Sequence, residues 1–212
     1  MLKILVIRHG YSEGNQKNVF CGKTEVDLTP LGLEQGRLVS KFVYDNYKID
    51  GIYTSALSRT KRTVEYLSEL TGIESVGFSE FNEKSLGRWE GKGIKEIQDL
   101  YKEEYEWSIK DPINFKPLEG ESYPELIERV FRGLKKIEEK HQGKDATVVL
   151  ATHGGVVRAL EIIANGEEGS KIKLQQNATV TEMTFKEDKL KVLVRGISDF
   201  LGDKETVGVV KL

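Results

Sequence analysis

Helices on both faces of a mostly parallel central sheet, a three-layer α/β/α sandwich, is the fold class this sequence predicts, on three observations. Two short, almost continuous apolar runs, residues 2–7 and 146–151, have the pattern of strands buried on both faces. Amphipathic helical segments alternate with strand-like ones along the chain. At 212 residues and 38% hydrophobic the chain can build one substantial core, so residues 1–212 are expected to form a single domain.

The first run is interrupted only by Lys3 and ends abruptly at Arg8-His9-Gly10. After a polar, glycine-bearing stretch, Thr29 supplies an N-cap and Pro30 suits a first helical position. Leu38, Phe42 and Val43 follow at helical spacing, which predicts a helix over about 30–47. Residues 49–53 read as a short strand, and Ser58 can cap a second helix with Val64, Leu67 and Leu70 on one face. Residues 75–78 are a further strand candidate. The segment 82–93 is polar and glycine-rich apart from Leu86 and Trp89 and reads as a loop. Ile94, Ile97, Leu100 and Tyr101 mark a helix, and residues 107–117 then break any period.

Ser122-Tyr123-Pro124-Glu125 is a capping box, behind which Leu126, Val130, Leu134 and Ile137 recur on one helical face. The run 146–151 ends at Thr152-His153-Gly154-Gly155, and Val156, Val157, Leu160 and Ile163 open another helix, repeating the design of the first strand. Residues 180–185 and 190–194 flank a turn-like Lys186-Glu187-Asp188-Lys189 and predict an antiparallel hairpin.

Composition excludes several classes of function. The 34 acidic and 32 basic residues nearly cancel, so no global field favours nucleic acid or an anionic membrane. The apolar start is too short for a signal peptide or a membrane span, and no later run is longer, so the expected location is the cytoplasm. A single cysteine, Cys21, excludes an internal disulfide and a thiolate metal cage, and packing is its plainest role. There is no Walker-type Gly-Lys-Ser/Thr loop, no His-Glu-x-x-His pair and no carboxylate cluster at metal-ligand spacing, so neither cofactor nor metal is expected.

Two of the three histidines sit just past the ends of the two most strand-like segments, each followed by glycine. Open α/β sheets bind ligands beyond the carboxyl ends of their parallel strands, so His9 and His153 would reach one crevice. The helix after His153 would turn its positive dipole end toward an anion there. Arg8 adjoins His9, and Arg59 with Arg62 opens the helix after the 49–53 strand. Guanidinium forks fit phosphate oxygens, and such a cluster can neutralise a transferring phosphoryl group. Singly, each residue has an ordinary structural explanation, and it is their convergence that points to phosphoryl chemistry. His141, at a Lys/Glu-rich helix end before Gly143, is explained by the helix dipole or by exposure.

Five ordered elements carry a resemblance to a known family. Arg8-His9-Gly10-Tyr11-Ser12-Glu13-Gly14-Asn15 looks like the RHGxTxxN signature of the histidine phosphatase superfamily, which contains cofactor-dependent phosphoglycerate mutases and small-molecule phosphatases. Ser12 stands for the usual threonine and Tyr11 for a common glutamate. Phe20-Cys21-Gly22 through Asp27-Leu28-Thr29 and Gly32 is similar to the segment bordering that family's active site. Ser55-Ala56-Leu57-Ser58-Arg59 through Thr63 resembles SxLxRAxxT, Glu83 through Gly91 resembles ExxxGxWEG, and Thr152 through Gly155 with Arg158 resembles SHGGxxR.

The resemblance implies a phosphoglycerate mutase-like fold with a cap-like insertion around 82–120 and His9 as nucleophile through a phosphohistidine. Arg8, Arg59 and His153 would bind the transferring group, His153 as an imidazolium whose pKa an anionic neighbour raises. Glu83 would be proton donor and acceptor. Asn15, Cys21, Gly22 and Gly154 would complete the phosphate and substrate lining, with Ser12 holding the loop. Arg62 is a more remote contact at most, Trp89 packs its loop, and Arg158 makes a structural ion pair or a substrate contact. The Gly87-Arg88-Trp89-Glu90-Gly91 form is similar to the phosphatase branch, which includes broad-specificity and α-ribazole phosphatases, rather than to the mutases. The expectation is a metal-independent phosphomonoesterase for small phosphorylated metabolites, acting without nucleic-acid or membrane partners. A homodimer is common in the family. A mutase and a non-catalytic phosphate-binding member are the alternatives, and selectivity would reside in residues 90–120.

Overall fold

A computed structural model describes residues 1–205, and the end of the C-terminal tail, to which the sequence assigns no element, lies outside the described residues. A six-stranded sheet in the order β3-β2-β4-β1-β5-β6 forms the middle layer. Its strands are β1 (Leu2–Arg8), β2 (Gly51–Thr54), β3 (Ser75–Gly77), β4 (Ala146–Thr152), β5 (Val180–Lys186) and β6 (Lys189–Ile197). The first four are mutually parallel, β5 runs antiparallel to β1, and the edge strand β6 runs antiparallel to β5. The helices are α1 (Glu13–Gln16), α2 (Pro30–Asn46), α3 (Ser58–Thr63), α4 (Glu65–Thr71), α5 (Ile94–Leu100), α6 (Lys102–Lys110), α7 (Tyr123–Lys140), α8 (Gly154–Asn165) and α9 (Glu168–Lys171). Among the described residues no helix is long and apolar enough to cross a membrane.

Alternation along β1 divides the core in two. Leu2, Ile4 and Val6 join Val148 and Leu150 of β4 under Leu126, Val130, Leu134 and Ile137 of α7 and Val156 and Leu160 of α8. Leu5 and Ile7 face the other way, with Val149 and Ala151, onto Val39 and Val43 of α2 and Val64 and Leu67. The fold is thus the predicted mixed α/β sandwich.

Register positions the chemistry. β1 and β4 pair from Leu2↔Ala146 to Arg8↔Thr152, so His9 and His153 follow matched strand ends. β2 joins the other side of β4 with Thr54↔Ala151, which brings Ser55 to the same edge.

Most elements match the sequence reading, and the differences have local causes. Thr29 caps α2 as expected, its hydroxyl accepting from Gly32 N at 3.1 Å. The expected single helix from Ser58 is two, broken at Val64 (φ −114°). Thr63 Oγ1 donates back to Arg59 O at 2.7 Å and accepts from Gly10 N at 3.0 Å, competing with the helical ladder just where it breaks. Ser58 is not the cap but the first helical residue, and its hydroxyl donates to Glu25 at 2.6 Å.

The segment 82–93 contains a 3-10 turn, Gly87–Trp89, whose tryptophan is fully buried against Phe115 with ring centroids 4.9 Å apart. Trp89, Ile97 and Phe115 form a small third core. Helix α6 was hidden from periodicity because only Ser108 of its nine residues is buried, while Trp107 and Ile109 are exposed. The hairpin turns through Glu187 and Asp188, both at positive φ (50° and 63°), as a two-residue primed turn requires. His141 is neither exposed nor a simple dipole partner: it is buried, with Nε2 2.9 Å from Tyr53 Oη.

Candidate active site

His9 continues the β1 ladder, its N–H donating to Thr152 O at 2.8 Å. Its ring is buried, and Nδ1 lies 2.8 Å from Gly10 O. A carbonyl only accepts, so Nδ1 carries the proton and Nε2 presents a lone pair. The His153 ring is 5.2 Å away, centroid to centroid. Arg59 Nε donates to His153 Nδ1 at 3.2 Å, which places the His153 proton on Nε2, 2.8 Å from Ser55 Oγ. Ser55 Oγ also accepts from Leu57 N at 3.1 Å and lies 2.9 Å from Thr60 Oγ1, whose own proton goes to Leu57 O at 2.9 Å. The chain of bonds therefore fixes a single tautomer of each imidazole.

Both guanidiniums are buried and held by carbonyls rather than by carboxylates. Arg59 donates to Thr24 O at 2.9 Å and Gly22 O at 2.7 Å. Arg8 donates to Gln175 O, and its buried Nε has no partner among the described residues. Burial pulls Arg8 down to about 10, which leaves it charged at neutral pH, and lowers Arg59 also. This undispersed charge acts on the histidines. Burial first, then Arg59, hold both His9 and His153 well below the ordinary value of 6.5, with Arg8 adding to His9 and the His9 ring adding to His153. Burial first, and then the Arg59 cation, favour a neutral His153 ring over the expected imidazolium until an anion joins the site.

Stability should follow. The unfolded chain takes up protons at histidine near pH 6.5, whereas folded His9 and His153 do not. The stabilisation is whole above that pH and is lost as pH falls below it, by at most about 1.4 kcal/mol per pH unit for each ring. Denaturant midpoints at pH 7.5 and 5.5 should show this decline, and His9→Ala should flatten it.

Glu83 is half-buried beside the N-terminus of α8. Its carboxylate accepts from Gly155 N at 3.0 and 3.2 Å and from Lys84 N at 2.8 Å. The N-terminus of α8, expected to meet a substrate anion, instead holds the protein's own carboxylate. A Cβ on Gly155 would lie 2.3 Å from Glu83 Oε1 and would displace the carboxylate from this N–H.

Asn15 holds a loop. Its Oδ1 accepts from Ser12 N, from Ser12 Oγ and from Asn177 Nδ2, each at 3.1 Å, and Asn177 also donates to His9 O at 2.9 Å. Gly22 combines a φ of +48° with a Cβ position 2.0 Å from Glu90 Oε1. Glu90 in turn accepts from Lys23 N at 3.1 Å, Thr24 N at 3.0 Å and Leu86 N at 3.1 Å, so it fixes the loop whose carbonyls grip Arg59. Cys21 Sγ packs on Gly14 with Val19 O at 3.7 Å, and burial pushes the thiol up. Gly154 packs against Leu174 near Arg8. Arg62 is not in the cluster; it pairs with Asp27 on the surface. Arg158 bonds the Ser170 carbonyl rather than a carboxylate.

Of the supporting residues, Ser55 could have been found by the rule that located the histidines, since it also follows a parallel strand. Thr63 and Glu90 stand at the final threonine of the SxLxRAxxT-like element and the second glutamate of the ExxxGxWEG-like one, whereas Thr60, Gln175 and Asn177 are single polar residues with no shared spacing. Among the described residues no group of three His, Cys, Asp or Glu side chains is placed to hold a metal ion.

Fold and site together define an α/β protein with paired imidazoles and carbonyl-held guanidiniums at the carboxyl edge of a parallel sheet. Residues 4–197 match the model of the Histidine phosphatase superfamily (branch 1), and the chain belongs to that superfamily. It is 31% identical over 180 residues to a 2,3-bisphosphoglycerate-dependent phosphoglycerate mutase of Bartonella tribocorum, covering 83% of this chain and 87% of the relative. It is 26% identical over 205 residues to Phosphoserine phosphatase 1 of Hydrogenobacter thermophilus, covering 96% of each. The α-ribazole phosphatase of Shigella flexneri shares the fold, with a TM-score of 0.79 at 20% identity over 91% of this chain and 95% of that one. Members of both catalytic kinds, phosphatase and mutase, are thus among its relatives.

Proposed function

We propose that the protein is a metal-independent phosphomonoesterase that works through a phosphohistidine on His9. The observation that carries the reading is the pinned tautomer: Nδ1–H bonded to Gly10 O leaves Nε2 unprotonated on a ring 5.2 Å from that of His153, within the field of Arg59 and Arg8, which have no carboxylate partner among the described residues. Nε2 attacks phosphorus in line while Arg8, including its unpartnered Nε, and Arg59 take the equatorial oxygens. An incoming phosphate dianion draws a proton onto His153 Nδ1 and competes with Arg59 for that position. Glu83 protonates the leaving alkoxide, and the P–O bond breaks. It then takes a proton from water as that water attacks phosphorus and frees His9.

The bound substrate is a small phosphorylated metabolite, with the chain acting in the cytoplasm as one domain and the third core capping the crevice. Relatives named as phosphatases, together with the Gly87 to Gly91 segment, support hydrolysis over transfer. Hydrolysis of p-nitrophenyl phosphate should proceed equally with and without EDTA. No turnover in either condition would remove the enzyme, and loss on chelation would remove the metal-free mechanism. Turnover of 3-phosphoglycerate to free phosphate, unaccelerated by 2,3-bisphosphoglycerate, is the expected result against the mutase reading.

A further inference from the structure

A proton donor works only from a fixed position, and Glu83 sits outside any helix or strand. Its segment leaves β3 through the 3-10 turn Ser79–Phe81. Up to Asn82 the segment is fastened to the strand ends: Phe81 O accepts from Thr152 Oγ1 at 2.9 Å, and Asn82 Oδ1 accepts from Ala56 N at 2.8 Å. The backbone around Glu83 is held from α7 instead. Arg129 donates from Nη1 to Glu80 O at 2.7 Å and from Nη2 to Glu83 O at 3.0 Å. Glu121 closes the guanidinium from its other edge, accepting Nε on Oε1 at 2.6 Å and Nη2 on Oε2 at 2.8 Å. Glu121 Oε2 also accepts from Ser85 N at 3.3 Å, and Glu121 N donates to Ser85 O at 2.9 Å.

One guanidinium–carboxylate unit thus grips the chain at Glu80, Glu83 and Ser85, on both sides of the proposed proton donor. Both side chains are nearly buried, at 11% and 12% exposure. Such a pair adds little net stability, because desolvation of the two charges offsets their attraction. What it supplies is geometry: a planar fork fixes two carbonyls relative to one another, which a single ammonium cannot do. Helix α7 is a firm anchor for the fork, since a capping box opens it and Leu126, Val130, Leu134 and Ile137 seat it in the main core. One turn past Arg129, a Cβ on Gly133 would lie 2.6 Å from Phe81 Cζ and 2.9 Å from Glu80 Cβ, so helix and segment are in close contact there as well.

We propose that Arg129, locked by Glu121, is a positioning residue that sets the reach of the Glu83 carboxylate and so governs departure of the leaving group rather than attack by His9. The inference rests on the phosphomonoesterase reading, in which Glu83 protonates the leaving oxygen. His9, Arg59 and Arg8 are held through Thr152, Gly22, Thr24 and Gln175 carbonyls, so loosening the Arg129 fork leaves the phosphate cradle in place.

The test uses two esters of nearly one shape, phenyl phosphate and p-nitrophenyl phosphate. Phenolate is the poorer leaving group and needs the proton, whereas p-nitrophenolate departs without it. Their kcat/KM values report the steps up to leaving-group release, which isolates phosphorylation of His9. Arg129→Lys keeps the positive charge that reaches His153 but loses the fork. In that variant kcat/KM should fall about tenfold or more with phenyl phosphate, the scale of a displaced catalytic group, and less than about twofold with p-nitrophenyl phosphate. The p-nitrophenyl phosphate kcat should fall too, because hydrolysis of the phosphohistidine uses the same carboxylate as base. In a Glu83→Gln background, Arg129→Lys should cost nothing further with phenyl phosphate, since no proton is left to misplace. Equal losses with both esters, no loss with either, or an undiminished loss in the Glu83→Gln background would overturn the proposal, because a general loosening or a bystander gives those results. Should Arg129→Lys not fold, Glu121→Gln decides: it keeps the shape of the pair and removes the charge that locks the fork, so the same selective loss is expected and an unselective loss, or none, refutes the idea. Failure of the underlying reading is distinct, since Glu83→Gln would then itself depress both esters equally, or neither ester would be turned over, and the proposal falls with it.

Discussion

Replacing His9 by alanine is expected to lower kcat by at least about 10⁴-fold on every phosphomonoester while leaving the protein folded, because the residue supplies the attacking atom and nothing nearby can replace it. His153 cannot take over: both of its ring nitrogens are engaged, one by Arg59 and the other by Ser55. The fold should survive because the ring sits past the end of β1, outside both main cores. Its backbone bond to Thr152 O does not involve the side chain. Steady-state rates and a thermal melt made on the same preparation check both halves. Substantial residual turnover by a well-folded variant would exclude His9 as nucleophile.

Glu83→Gln should cost about 10²- to 10⁴-fold with alkyl phosphates, the range for a positioned proton donor. Glutamine keeps an acceptor oxygen for the N–H groups of Gly155 and Lys84, so the substitution removes the transferable proton with little change of shape. With p-nitrophenyl phosphate the leaving group departs without protonation, and phosphorylation of His9 should be nearly spared. Hydrolysis of the phosphohistidine still needs a base. The variant should therefore release a burst of p-nitrophenol, close to one equivalent per site, followed by a slow steady phase. Equal damage to both substrates with no burst would mean that Glu83 shapes the crevice rather than moving protons.

What the sequence made legible was what periodicity and topology control. The runs ending at Arg8 and Thr152 located two strands and, through the rule that ligands gather at the carboxyl edge, two histidines more than 140 residues apart along the chain. Glu83 was different: its position in a polar loop has no physical signature, and only the ordered motifs singled it out. Electrostatics was the least legible part. A phosphate pocket suggested a protonated His153, yet a site that presents uncompensated guanidiniums repels further protons, and that balance depends on distances no spacing reveals. The cap region escaped for a packing reason. Helix α6 buries almost nothing, while the residues that close its neighbourhood, Trp89 and Phe115, lie outside any α-helix or strand. Side-chain back-bonding at Thr63 likewise splits a helix whose apolar stripe is continuous.

The pairing of β1 with β4, residue against residue up to Arg8 and Thr152, has a consequence for how the molecule can fail. The gap between the two imidazoles is inherited from the pitch of a parallel ladder and owes little to loops or lids. Thermal agitation too weak to tear that ladder cannot separate the rings, and once it is torn no remnant holds them together. The imidazole pair should therefore persist until that ladder itself opens, whatever the surrounding loops do.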